Sequence, residues 1–153
     1  ADRIFVMKDG EIIQVGTPTE IYTRANSPFI ADFIGIMNFI PATIGKNNKA
    51  HCNSVIIDCD TQDFQNNQSV RLAIRPEDIQ LNVEKSDNNV LEATIKEIEF
   101  LGSFQRIYLE VSNVTKDLIM ADMPSSNARK INLALNDKLN ICFPVEDIRV
   151  YPN

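Results

Sequence analysis

The sequence predicts a mainly β protein: a small barrel or sandwich of roughly seven to nine strands, preceded by a β-hairpin and two short helices. Three observations carry that prediction. From Asn38 onward, short runs alternate apolar and polar residues, the period of half-buried strands. Before them, Asp9-Gly10 separates the apolar runs 4–7 and 12–15, a strong hairpin signal because both turn residues must tolerate positive φ. Between the two lie Thr17-Pro18 and Ser27-Pro28, each a capping side chain followed by proline at a first helical position.

Taken in order, residues 3–16 form the hairpin. Thr17 and Glu20 make a capping box, and the helix they open ends near Arg24. After Ser27, the residues Phe29, Ile30, Phe33 and Ile34 form one apolar stripe at helical spacing, and Gly35 supplies a left-handed stop. Residues 38–44 return to extended structure, with Pro41 favouring an edge. A short run at 55–59 and a polar connection at 62–68 follow. In residues 70–81, Val70, Leu72 and Ile74 alternate with Arg71 and Ala73. Pro76 then ends the ladder, since it has no N–H to donate, and Ile79 and Leu81 resume the alternation beyond it. The rest reads as strand at 90–101, after a loop at 85–89, and again at 104–111 beyond Gly102, which marks a bulge or sharp bend. Further strands follow at 118–123, 139–143 and 148–151. No internal repeat or low-complexity tract emerges. The boundary between the two parts falls near residues 36–42, giving 1–41 and 42–153.

Composition excludes several classes of function. At 44% hydrophobic the chain can bury a core. No apolar run reaches the roughly 18 residues of a membrane span. Net charge is −6: 3 basic and 5 acidic residues give −2 over 1–41, and 12 and 16 give −4 over 42–153. Neither part offers the basic surface that nucleic acid or an anionic membrane requires. No basic stretch leads into an apolar one at the start, which opens on ADRIFVM as if in the middle of a fold. An odd count of 3 cysteines fits a reducing cytosol.

Catalytic constellations are missing from the sequence. None of the 5 glycines belongs to G-x-x-x-x-G-K-[ST] or G-x-G-x-x-G, and there is no G-x-S-x-G elbow. His51, Cys52 and Cys59 lie close together, but no second close-spaced pair completes a four-ligand zinc set. The one histidine leaves little for acid–base chemistry. The functional candidate is the Arg75-Pro76-Glu77-Asp78 corner. On spacing alone it also reads as a solvated turn whose ion pairs are each worth about 0–1 kcal/mol.

ADRIFVMKDGEIIQVGTPTEIY, followed by FIADFIGIMNFIPA, resembles the end of the ATP-binding subunit of ABC importers. The Arg75-Pro76-Glu77-Asp78 corner and Phe100-Leu101-Gly102-Ser103 resemble two recurrent marks of its following OB-like β domain, called TOBE. The resemblance implies that 1–41 is a C-terminal remnant of the nucleotide-binding domain and 42–153 a TOBE regulatory domain. It implies ATP and Mg in the parent protein and no cofactor, metal or catalytic residue here, because the phosphate loop and switch histidine of relatives lie upstream of Ala1. It further implies a homodimer working with transmembrane permease subunits, cytoplasmic and peripheral at the inner face of the membrane, with no membrane insertion of its own. Arg75, Glu77, Asp78, Phe104, Ile107 and Leu109 are the expected regulatory or dimer contacts. Sugar importers of this family carry Pro-Pro-Met-Asn where this chain has Gly35-Ile36-Met37-Asn38. That departure favours the polyamine, iron(III) or phosphonate branch. The rival reading is a stand-alone OB-like module for a small ligand or oligonucleotide. The acidic balance, the 3 tyrosines and the absence of tryptophan count against an oligonucleotide.

Overall fold

The computed structural model describes residues 2–84 and 88–153, so most of the expected 85–89 loop lies outside the described residues. The chain divides into two compact units, Ala1–Met37 and Asn38–Asn153. Asn38–Pro41 therefore belong to the second.

The first unit is a hairpin and two helices. Strands β1 (Ile4–Lys8) and β2 (Glu11–Gly16) pair antiparallel through Asp9 and Gly10, whose φ values of 51° and 82° are those the turn demands. Helix α1 (Pro18–Thr23) carries the full capping box: Thr17 Oγ1 accepts from the Glu20 N–H, and Glu20 Oε2 accepts from the Thr17 N–H, each at 3.2 Å. Helix α2 (Pro28–Ile34) is capped by Ser27, but Gly35 sits at φ −176°, extended rather than left-handed. Since α2 leads directly into extended chain, no left-handed cap is needed. Of its stripe only Ile30 is fully buried; Phe33 is 69% exposed and stacks on Phe29 with centroids 5.7 Å apart.

The second unit has ten strands among the described residues, in two five-stranded antiparallel sheets. The first half supplies β3 (Asn38–Ile44), β4 (Lys49–Cys52), β5 (Val55–Asp58), β6 (Ser69–Ile74) and β7 (Gln80–Leu81). The second supplies β8 (Val90–Phe100), β9 (Phe104–Glu110), β10 (Ile119–Pro124), β11 (Lys138–Cys142) and β12 (Arg149–Pro152), with helix α3 (Ser125–Ile131) between β10 and β11. Strand β4 and helix α3 lie outside the sequence expectation. The inward residues of β4, Ala50 and Cys52, are too small to register as a strand pattern, and α3 has no side-chain cap at its start. Pro41 sits on a strand interior to its sheet, yet β4 pairs with β3 only at Thr43 and Ile44, so Pro41 keeps the open side it needs.

Read side by side, the sheet orders β12-β6-β3-β4-β5 and β7-β11-β8-β9-β10 are the same arrangement made twice. This corrects the expectation of no internal repeat. Asn38–Ile44 reads NFIPATI and residues 89–95 read NVLEATI, identical at Asn, Ala, Thr and Ile. Each half keeps four strands in its own sheet and gives its fifth to the other: β7 closes the second sheet against β11, and β12 closes the first against β6. Both ladders keep one register, Gln80 opposite Cys142 and Arg149 opposite Ala73. The core lies between the sheets, around Ile40, Leu72, Ile95, Ile107, Leu109 and Ile141.

Two asparagines join one sheet to the other. The Asn38 Nδ2 donates to the Met120 carbonyl at 2.8 Å and the Ile74 carbonyl at 3.2 Å, while its Oδ1 accepts from the Met120 N–H at 2.8 Å. Asn89 does the same in the other half. Its Nδ2 donates to the carbonyls of Asp58 (2.8 Å) and Phe143 (2.9 Å), and its Oδ1 accepts from the Asp58 N–H at 2.8 Å. A carboxamide has one donor group and one acceptor group, so it can pair with both backbone groups of a strand residue.

The halves differ in helix α3, which has no counterpart between β5 and β6, and in the length of one hairpin. Strand β8 has 11 residues where β3 has 7, so the β8–β9 hairpin projects further than its counterpart. Gly102, at φ 85°, makes the tip, and the irregularity in the ladder falls between Ile95 and Glu97 instead. Ser125, at the start of α3, holds the tip: its N–H donates to the Ser103 carbonyl at 2.9 Å and its Oγ to the Gly102 carbonyl at 2.6 Å.

Candidate functional site

The corner expected at Arg75-Pro76-Glu77-Asp78 is a 3-10 turn over Pro76–Asp78, closed by the Asp78 N–H donating to the Arg75 carbonyl at 3.0 Å. It is not a solvated turn. Arg75 is 4% exposed and Pro76 is buried; Glu77 is open to water and Asp78 half-buried. The reason is topological. The corner carries the chain from one sheet to the other, so it crosses the seam between them.

The second half has its own crossover. A 3-10 turn over Val145–Asp147 is closed by the Asp147 N–H donating to the Pro144 carbonyl at 3.0 Å. Glu77-Asp78-Ile79 and Glu146-Asp147-Ile148 occupy equivalent places. Burial, then the charges of Asp147 and Glu77, push the Asp78 carboxyl up to about 6, against a smaller opposing pull from Arg75 and Arg149. Asp147 is also pushed up, by burial and then Glu146, with Arg149 opposing. Burial raises the Tyr151 hydroxyl in the same neighbourhood.

The three strand residues separate. Ile107 and Leu109 are 0% exposed and belong to the core, so they present no surface to a partner. Period-two alternation identified residues that share a face, and that face turns inward. Phe104 lies on the other face of β9, half-buried, with the Arg106 guanidinium 5.6 Å from its ring centroid. It lines a shallow cleft of about 330 Å³ with Glu77, Asp122, Met123 and Pro124. Glu77 and Phe104 are thus brought together, as are Arg75 and Asp78 with the second corner. Below Phe104, Arg106 forms a bidentate pair with Asp122, at 2.8 and 3.0 Å. Phe100 and Leu101, singled out in the sequence as part of a family mark but not as contacts, are 67% and 39% exposed at the hairpin tip.

Among the described residues no group of three His, Cys, Asp or Glu is placed to hold a metal. His51 is exposed, whereas Cys52 and Cys59 are buried. Burial first, then the neighbouring Cys59, pushes the Cys52 thiol up to about 12, and burial followed by the Asp58 and Asp60 carboxylates pushes Cys59 up to about 11. Neither is poised to act as a thiolate. No helix is long and apolar enough to cross a membrane among the described residues.

The family profile of the TOBE domain matches residues 72–150. The chain is 32% identical to the Fe(3+) ions import ATP-binding protein FbpC 2 of Rhizobium meliloti, covering 99% of this chain and 41% of the relative. It is 39% identical to the alpha-glucoside transport ATP-binding protein AglK of the same organism, over 81% of this chain and 36% of the relative. A spermidine/putrescine import ATP-binding protein PotA, of Borreliella afzelii, is also 39% identical, over 72% and 31%. The chain spans about two fifths of the length of the first of these relatives. Among solved structures, the cytoplasmic molybdate-binding protein ModG superposes with a TM-score of 0.64 at 9% identity, over 85% of this chain and 99% of that one. At that identity the likeness concerns the fold.

Proposed function

Because the chain belongs to the TOBE-domain family, in the form carried by ABC importer ATP-binding subunits, we propose that it regulates and dimerises such a subunit. ATP hydrolysis in the longer protein would be coupled to solute uptake through it. The observation that carries this reading is the joint match: a TOBE profile over 72–150 within a chain whose whole length aligns to import ATP-binding proteins. Residues 1–37 are then the last elements of the ATPase domain. ATP and Mg belong to parts of the parent protein that carry a phosphate loop. The partners are a second copy and membrane-spanning permease subunits, which places the protein on the cytoplasmic face of the membrane.

The work of the β unit is to tether. Holding two ATPase domains together raises the effective concentration of each for the other through the cycle. With Ile107 and Leu109 in the core, the contact falls to the projecting hairpin: Phe100, Leu101 and Phe104, with Glu77 at the rim of the cleft. The expected result is that residues 1–153 scatter light as a dimer. A Phe100→Ser, Leu101→Ser double variant should become monomeric with its melting temperature unchanged. A dimer indifferent to both substitutions would remove the hairpin from the contact.

The relatives are named for iron, α-glucoside, sulfate or thiosulfate, and spermidine or putrescine. The transported solute is therefore set by other subunits, and no residue here is assigned to it. Calorimetry with Mg-ATP should show no binding to this chain, since nothing in it supplies the amide cradle and lysine that hold a triphosphate. Micromolar affinity would overturn this division of labour and favour a ligand-binding module. In that case the cleft of about 450 Å³ lined by Glu92, Thr94, Lys96, Glu110 and Lys138 is the first place to look.

A further inference from the structure

The cleft of about 450 Å³ along β8, β11 and the end of β9 carries four charged side chains, Glu92, Lys96, Glu110 and Lys138. Strand pairing arranges them around Thr94. Lys138 and Glu110 face it from the flanking strands, and Glu92 and Lys96 lie two residues to either side along β8. Going round, the two lysines are neighbours and so are the two glutamates, which gives the cleft a cationic half and an anionic half. Diagonal neighbours of this kind are within reach of long side chains. Among the described residues none of the four enters an ion pair; the pairs formed are Lys49 with Asp58 and Arg106 with Asp122. Val55 and Val114 add apolar wall, and Asn53 fixes the loop bearing Val114, its Nδ2 donating to the Val114 carbonyl at 3.1 Å. We propose that this cleft binds a small zwitterion of the amino-acid kind, its carboxylate held by Lys96 and Lys138 and its ammonium by Glu92 and Glu110.

The duplication supplies the comparison. In the first half Thr43 is flanked by Ser69 and His51, as Thr94 is by Lys138 and Glu110. Pro41 and Gly45 stand where Glu92 and Lys96 do. The same surround is therefore built there without a lysine or a carboxylate, so the scaffold does not require these charges. In the first half the His51 ring also closes over Gly45: a Cβ at position 45 would stand 2.5 Å from its Nε2. Lys96 and Glu110 take those two places in the second half and leave space between them. The four charges sum to zero, but their signs lie on opposite sides of Thr94. A simple anion would answer the lysines and leave both glutamates unmatched, and a simple cation would do the reverse. A ligand bearing both signs answers all four.

The deciding experiment follows the amide resonances of residues 1–153 as glycine, γ-aminobutyrate and ε-aminocaproate are added in turn. Butyrate and propylamine serve as the single-charge halves of the second probe. At least one zwitterion should saturate, with its shifts gathered at residues 92–96, 110–114 and 138. It should bind about tenfold tighter than either half, the factor that one hydrogen bond to a charged group contributes. Glu110→His with Lys138→Ser installs the residues of the first half, and should weaken binding about tenfold or more at an unchanged melting temperature. Lys138→Gln keeps the stem at an exposed position and carries the same expectation if the double variant melts early. No saturation by any of the three below about 10 mM would overturn the site. So would butyrate binding as tightly as the zwitterions, because the lysines would then be attracting anions alone. Binding that neither variant weakens would put the ligand elsewhere and overturn it too. The resonances report on the cleft itself, so a failure here is distinguishable from a failure of the hairpin to make a dimer.

Discussion

Replacing Asn89 by alanine should cost about 2–4 kcal/mol, more than a typical surface change by a wide margin. Three backbone groups lose their partner at once: the N–H and carbonyl of Asp58 and the carbonyl of Phe143. A group left unmatched in the interior loses its hydration without compensation, about 1–3 kcal/mol for each fully buried one. Asn89 also sits at φ 61°, where alanine is strained. Asn89→Gly keeps that conformation and so isolates the carboxamide. Asn38→Ala should behave alike, through Met120 and Ile74, and needs no correction for φ, since Asn38 is absent from the positive-φ residues. Urea unfolding of the three variants checks this. If Asn89→Gly matched the unmodified chain, water would be serving these groups as well as the side chain does.

Leu109→Ala is the second large effect, expected at about 2–5 kcal/mol. Leu109 pairs with Ile95 on one side and Ile119 on the other, all three fully or almost fully buried. Truncation leaves a cavity between the sheets that rigid ladders cannot collapse to fill. The variant also separates two roles. A fall in denaturation midpoint with the oligomeric state unchanged places Leu109 in the core. An unchanged midpoint with a split dimer would return it to the contact first expected of it.

Local chemistry was readable from the residues. Asp9-Gly10, the Thr17–Glu20 box and the two proline-led helix starts each involve neighbours only, and each formed as expected. Alternation located most strands because a side-chain period of two needs no knowledge of what lies across the sheet. It could not say which face meets the core, and that is why Ile107 and Leu109 were assigned outward. The burial of Arg75 was invisible for a similar reason: only the crossing from sheet to sheet covers it. The duplication had a signal, NFIPATI against NVLEATI, but it is short and its corners align only as Glu-Asp-Ile. Once the sheets are superposed by order, the same residues become its clearest trace.

The exchange of strands also sets when the protein can fold. The first sheet needs Arg149–Pro152 along β6, although Ser69–Ile74 are made some seventy residues sooner. At about 5–20 residues per second, a ribosome leaves that edge bare for several seconds after β6 has emerged. Through that interval the nascent chain presents a hydrogen-bonding edge to any neighbour with an unpaired strand, including the same edge on the next chain along the message. The arrangement that ties the finished halves together makes the unfinished one wait.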